Sequence, residues 1–332
     1  MVEQRITAGE GPEAPLGGAA LLAPFLRARL GLGQPHLPKT FLRSQQGWRP
    51  PQDVDTVHLH LPDTTTGTVP VRLYRPRGIT GGLPGLVWFH GGGFTHGSLD
   101  WGEAHALALE LASHARIIVA SVGYATSSYP DALRDARHAW AWLASAGESL
   151  GMAGVPAAGG ASAGASLALS ASVAERTPGT PAATAFLGLY GLYHARIPAP
   201  DPTTARALAD LPAGVRFDTA AYARWVQTVR EDLDDPNALD PGALPLTEMP
   251  PTALVECQYD DLRASTSTLA RTLRESGVIV RELCVDGVVH GHLNWLPGAD
   301  LPQVETTLTF LEDALRDLPQ PNTEAPVAVT KE

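Results

Sequence analysis

Residues 157–170 read AAGGASAGASLALS, three serines among alanines, glycines and leucines without a single charge. A flexible linker and a strand-to-helix junction that holds up one serine both fit such a composition. The pentapeptide Gly160-Ala161-Ser162-Ala163-Gly164 separates the serines, because it matches G-x-S-x-G. A serine exposed on a sharp, strained turn leaves no room for side chains two positions to either side, so both must be glycine. Ser166 has Gly164 before it but Ala168 after it, and Ser170 has neither glycine. A dinucleotide fingerprint fails at the same place, since G-x-G-x-x-G starting at Gly159 requires glycine where Ala161 stands.

The stretches on either side supply the junction. DTVHLHL (55–61) and VPVRLYR (69–75) alternate apolar and polar residues across the turn-rich PDTTTGT, as two antiparallel strands do. From GLVWFH (85–90) onward, apolar strand-like runs alternate with helical ones: EAHALALELASHA, RIIVASV, DALRDARHAWAWLASAG, GVPAAGG, ASLALSASVAER and TAFLGLY. After a long irregular stretch come TALVECQ, LRASTSTLARTLRESG, VIVRELCV and a last helix near 301–317. Such alternation predicts an α/β fold with a mostly parallel sheet of about eight strands, the first pair antiparallel, and helices on both faces. Ser162 then falls where a strand must turn into a helix.

Length and charge bound the function. The chain of 332 residues is 44% hydrophobic, enough for one sizeable catalytic domain with insertions. A net charge of −11 without any Lys/Arg cluster excludes the footprint of a nucleic-acid binder or a protein drawn to anionic lipid. Neither nucleic acid nor membrane is expected as a partner, and a small uncharged substrate suits the chain better. The opening MVEQRITAGEGPEAP has no basic region leading into an apolar run, so a soluble, cytoplasmic protein is expected. Cys257 and Cys284 sit in apolar strand-like runs and read as buried free thiols. His58 and His60 share one strand face without an acidic partner nearby, which reads as a solvated face and not a metal site. No metal is expected. Glu256 and Asp135 read as structural carboxylates.

Two further motifs accompany the serine. His90-Gly91-Gly92-Gly93-Phe94 follows the strand GLVWFH, and three successive glycines let backbone N–H groups approach a substrate carbonyl and donate to its oxygen as that turns negative. LVECQYDDLRAS (254–265) places Asp260 and Asp261 just past a strand, and VDGVVHGHLNW (285–295) places His290 and His292 past the next. Serine, acid, base is the chain order of an α/β-hydrolase triad.

On HGGGF, GASAG, YDDLR and VVHGH, which occur in order over most of residues 55–317, the chain resembles the hormone-sensitive-lipase-like family of serine esterases. YPDALRDARHAWAWL (129–143) is similar to the family helix in which an equivalent of Asp135 is usual. The resemblance implies an α/β-hydrolase fold with a helical cap, and no cofactor. It assigns Ser162 as nucleophile, Asp260 as triad acid and His290 as base, with Gly92, Gly93 and Ala163 as oxyanion donors. Asp261 occupies the slot of proline in the family pattern Asp-Pro-Leu-Arg, and His292 that of the aromatic in His-Gly-Phe. Two departures stand out: Ala161 replaces the usual aspartate before the nucleophile, and the loop GYATSSYP (123–130) is shorter than usual.

The domain division that follows has an N-terminal cap arm over 1–50, a catalytic domain over 51–194 and 248–318, and a cap insertion over 195–247. The polar tail 319–332 is expected to be disordered. Trp48, Tyr222 and Trp225 are the aromatic candidates for the substrate pocket. The expected activity is hydrolysis of short-chain carboxylic esters, with the small-molecule ester as partner. A noncatalytic ligand-binding member of the fold, and an amidase or peptidase on the same triad, remain alternatives. The assembly state is open between a monomer and a homodimer.

Overall fold

The computed structural model describes residues 48–62, 67–174, 178–209, 211, 216–233, 235–246, 249–298 and 301–316. The expected arm up to residue 47 and the expected tail therefore lie outside the described residues.

Eight strands form one sheet: β1 (Val54–Pro62), β2 (Thr68–Pro76), β3 (Gly85–Phe89), β4 (Ile118–Val122), β5 (Ala157–Ala161), β6 (Phe186–Leu189), β7 (Thr252–Tyr259) and β8 (Val280–Val289). Their spatial order is β1-β2-β4-β3-β5-β6-β7-β8. β2 is antiparallel to both β1 and β4, and every other pairing is parallel. The first hairpin and the parallel remainder are as the sequence pattern predicts, with β2 alone running against the rest.

Strands β3 to β6 are buried along their whole length, which is why they read as unbroken apolar runs. β1, at the edge, is largely exposed, and His58 and His60 both face solvent there. Alternate residues of each strand feed two apolar layers. Val87 and Phe89 point into one with helices α2 (Tyr129–Ala146), α3 (Ala163–Leu169) and α6 (Arg263–Glu275). Leu86 and Trp88 point into the other with α1 (His105–His114) and α7 (Gln303–Arg316). The helix after Ser162 continues beyond Leu169 as a π turn over Ser170–Ala174, where the Ser172 hydroxyl donates to the Ala168 carbonyl at 2.6 Å.

The stretch expected as a cap insertion contains α4 (Pro202–Ala209) and α5 (Thr219–Arg230). Only α5 was legible as an amphipathic helix. α4 is hidden behind its prolines, yet Asp201 accepts from the Thr203 and Thr204 amides at 2.8 and 3.1 Å and Pro202 sits at the helix start, where a missing N–H costs nothing.

Cys257 and Cys284 are both free thiols; Cys257 is buried, whereas Cys284 is only partly so. Among the described residues no group of three or more His, Cys, Asp or Glu side chains could hold a metal ion, and no helix is long and apolar enough to cross a membrane.

Candidate active site

Every motif residue stands at the C-terminal end of a parallel strand. His90 follows β3, Ser162 follows β5, Asp260 follows β7 and His290 follows β8. In an open parallel sheet this is the edge where loops converge on a crevice.

Ser162 is the strained residue that the pentapeptide predicts, with φ 54° and ψ −122° between β5 and α3. The two glycines are required for the reason given above. A Cβ on Gly160 would fall on the backbone of Gly164, and one on Gly164 would fall on the carbonyls of Phe89 and His90. Ser166 and Ser170 are buried in the helix that follows.

The Ser162 hydroxyl lies 2.9 Å from Nε2 of His290, and Nδ1 of His290 lies 2.7 Å from Oδ2 of Asp260. The carboxylate can only accept, so Nδ1 carries the proton and Nε2 is left to accept from the serine hydroxyl. The other Asp260 oxygen accepts from the Leu262 amide at 2.9 Å, which fixes the carboxylate. β7 ends at Tyr259, just before this residue, past a register irregularity between Cys257 and Tyr259. Burial pushes the His290 pKa down, but the charge and hydrogen bond of Asp260, with Glu103 and Asp261 behind it, carry it above the ordinary value.

The two rivals are engaged elsewhere. Asp261 pairs with Arg216 at 2.6 Å. His292 is buried between the Thr307 hydroxyl, at 2.8 Å, and Sγ of Cys257, at 3.3 Å, and burial followed by the nearby His290 holds its pKa down at about 3.

Gly92 and Gly93 line the cavity into which Ser162 opens, and their amides donate to no protein acceptor among the described residues. The Ala163 amide begins α3, where no intrahelical carbonyl precedes it. The glycine loop is held from two sides. Tyr124 donates to the His90 carbonyl at 2.7 Å and stacks on its ring at 4.3 Å, so the short loop after β4 still braces this turn. Glu103 accepts from the Gly91 amide at 2.8 Å through Oε1 and from the Tyr190 hydroxyl at 2.8 Å through Oε2. Burial pushes the Glu103 carboxyl up, against these two bonds. Tyr190 in turn lies edge-on to His290, with ring centroids 5.0 Å apart. Sequence reasoning missed Glu103: it reads as an ordinary acid ahead of a helix, and only the fold carries the glycine loop back onto it.

The cavity has a volume of about 500 Å³ and an aromatic wall. Tyr222 and Trp225 line it, with Phe217 and Trp101 beside them. Phe94, Trp225 and Tyr222 form a stacked row, with centroids 5.4 and 5.7 Å apart. Trp48 is a correction. Its indole N–H donates to Glu110 at 2.7 Å and its ring lies edge-on to His105, so it lines a separate cavity on the far side of Trp101.

Ala161, in the slot of the usual aspartate, is fully buried in the same apolar cluster as Trp88 and Tyr190, both of which bond Glu103. A carboxylate at this position would be buried close to an existing one. Ala161→Asp is expected to destabilise the fold by about 1–3 kcal/mol without raising kcat. A variant with both a higher Tm and a faster kcat would contradict this.

Residues 86–294 match a family described as alpha/beta hydrolase fold, and the chain belongs to that family, in its hormone-sensitive-lipase-like branch. It is 30% identical over 236 residues to the carboxylesterase NlhH of Mycobacterium tuberculosis, a match covering 68% of this chain and 72% of that protein. It is 29% identical over 267 residues to an ethyl acetate hydrolase of Pseudomonas putida, covering 75% of this chain and 78% of that one. Its structure is similar to that of a hyperthermophilic esterase from the archaeon Pyrobaculum calidifontis, with a TM-score of 0.73, 25% identity, and coverage of 89% of this chain and 98% of the other.

Proposed function

We propose that this protein is a serine carboxylesterase acting on short-chain esters through an acyl-enzyme. The observation that carries the reading is the continuous relay from Ser162 Oγ through His290 to Asp260, at 2.9 and 2.7 Å, opening into a largely apolar pocket with an aromatic wall, beside free glycine amides. The names of the relatives, a carboxylesterase and an ethyl acetate hydrolase, support the same class.

In the proposed reaction His290 takes the Ser162 proton as Oγ attacks the ester carbonyl. The carbonyl oxygen becomes an oxyanion, held by the amides of Gly92, Gly93 and Ala163. Asp260 keeps Nδ1 protonated and stabilises the imidazolium. His290 then gives its proton to the leaving alcohol, and water, deprotonated by the same nitrogen, hydrolyses the acyl-enzyme. Each step uses side chains and amides already in place, and no cofactor enters.

The short-chain preference is proposed from the aromatic wall and not from the size of the cavity. Phe217, Tyr222 and Trp225 stand beside Ser162, so each further methylene of the acyl chain must find apolar space along them or clash. Across a series of acyl esters, kcat/KM is expected to be highest between acetyl and about hexanoyl and to fall roughly tenfold or more for longer chains. The same panel, extended to amides and lactones, tests the reaction class. Best activity on a long-chain triglyceride, or hydrolysis of amides alone, would overturn the proposal.

A further inference from the structure

Asp261 has no part in the relay, yet it is 9% exposed and makes more side-chain bonds than its neighbour in the triad. Its carboxylate accepts from Nη2 of Arg216 at 2.6 Å and from Nε at 3.2 Å, a fork-to-fork pairing that fixes orientation as well as distance. It also accepts from the backbone N–H of Phe217 at 3.0 Å. Arg216 in turn donates to the Leu208 carbonyl at the end of α4, at 3.3 Å.

What hangs from this clamp is one wall of the Ser162 cavity. Phe217 lines the cavity and packs against Tyr222 at 5.6 Å. The next residue, Asp218, caps α5 by accepting from the Ala221 amide at 2.8 Å, and α5 carries Tyr222 and Trp225. The fixed end is the loop that presents Asp260, held by the Leu262 amide. Among its other contacts, this surface segment is thus tied by a charged pair to the loop at the sheet edge that presents Asp260. We propose that Asp261 and Arg216 form a latch holding the Phe217–Trp225 wall closed over Ser162, and that Asp261 is thereby a specificity-determining position for acyl length.

This deepens the esterase reading and rests on it for substrate selectivity. The latch itself is a physical contact and is tested separately. The carboxylate is inward and the guanidinium is 38% exposed, so the pair lies where salt still screens part of its attraction. Asp261 also occupies the slot that holds proline in the resembled pattern. Proline offers no acceptor for a guanidinium, so the clamp belongs to this chain's own sequence.

The test compares wild type with Asp261→Asn, Arg216→Gln and the double variant, by hydrogen–deuterium exchange and by kinetics on butanoyl and octanoyl esters. Asp261→Asn is expected to speed exchange across residues 216–230 about tenfold or more, leaving β3 and β5 protected. At pH 9, where His290 is neutral in both proteins and the pull of Asp261 on its charge drops out, KM for the butanoyl ester is expected to rise roughly fivefold with kcat within about threefold of wild type, while the octanoyl ester gains relative to it. Arg216→Gln, at the more exposed end, is expected to act alike and keeps the test open if Asp261→Asn does not fold. The double variant should add little to the larger of the two single effects, because each single already breaks the shared Asp261–Arg216 pair.

Unchanged exchange over 216–230 in a folded variant would overturn the latch whether or not any ester is hydrolysed. Faster exchange with an unchanged length profile in active enzyme would overturn the specificity role. Faster exchange in a protein that hydrolyses no ester would uphold the latch and sink the esterase reading instead.

Discussion

Ser162→Ala is expected to lower kcat on a butanoyl ester by roughly 10⁴- to 10⁶-fold while leaving Tm close to that of wild type. A large effect is expected because, among the described residues that line the pocket, Ser162 is the one whose hydroxyl meets Nε2 of His290, and the remaining amides and pocket accelerate water only weakly without it. The fold loses little, because the one side-chain bond removed is the 2.9 Å contact with His290. Initial rates at saturating substrate together with a thermal melt measure both quantities. A variant that keeps more than about a hundredth of wild-type kcat would mean that the nucleophile is another group.

The second large effect separates the two histidines. His290 must be neutral to take the serine proton, so kcat/KM is expected to fall as pH drops through its folded-state pKa. Burial alone would push that pKa down, but Asp260, Glu103 and Asp261 outweigh it, so the midpoint is expected above the ordinary imidazole value of 6.5. His290→Gln is expected to remove roughly 10⁴-fold of kcat and the acidic limb with it. His292→Gln should keep the limb: His292 stays neutral in the fold, with its pKa near 3, and it bonds Thr307 and Cys257 and not the serine. Rate profiles from pH 5 to 9 for the three proteins decide the matter. Loss of the limb in the His292 variant with its retention in the His290 variant would reverse the assignment.

The parts of this architecture that were legible in the sequence share one physical cause. Central strands buried on both faces must be apolar throughout, and a serine on a turn with positive φ must be flanked by glycines that have no room for a Cβ, so β3 to β6 and the Ser162 turn were readable locally. Asp260 and His290 followed because they sit one residue beyond their strands. What was not legible depends on contacts between distant segments. Trp48 was expected in the pocket as an aromatic residue of the N-terminal arm, but its indole is held by Glu110 on α1, 62 residues away. Glu103 became part of the site only when the glycine loop folded against it. Asp261 looked idle beside Asp260 until Arg216, remote in sequence and on the cap segment, met it. Trp101 and Phe217 escaped notice for the same reason, since nothing in their own neighbourhood distinguishes a pocket wall from a loop.

Ala161 marks where the local steric rule and the family pattern part. The pentapeptide constrains the glycines and the serine but not the residue between them, and here that residue is packed against an apolar cluster beside the buried Glu103. The carboxylate bonded to the glycine loop comes from Glu103, before α1, and the turn residue is free to be small.

The most direct test of the central claim is covalent. A fluorophosphonate reacts with a serine that is both activated by a base and placed where its phosphoryl oxygen meets hydrogen-bond donors, so the label reports the relay and the glycine amides together. Treating the native protein with the reagent and mapping the modified peptide by mass spectrometry is expected to find one adduct, on Ser162, absent from Ser162→Ala and formed more slowly at pH 5 than at pH 8. An adduct on Ser166, or none on folded protein at either pH, would contradict the account.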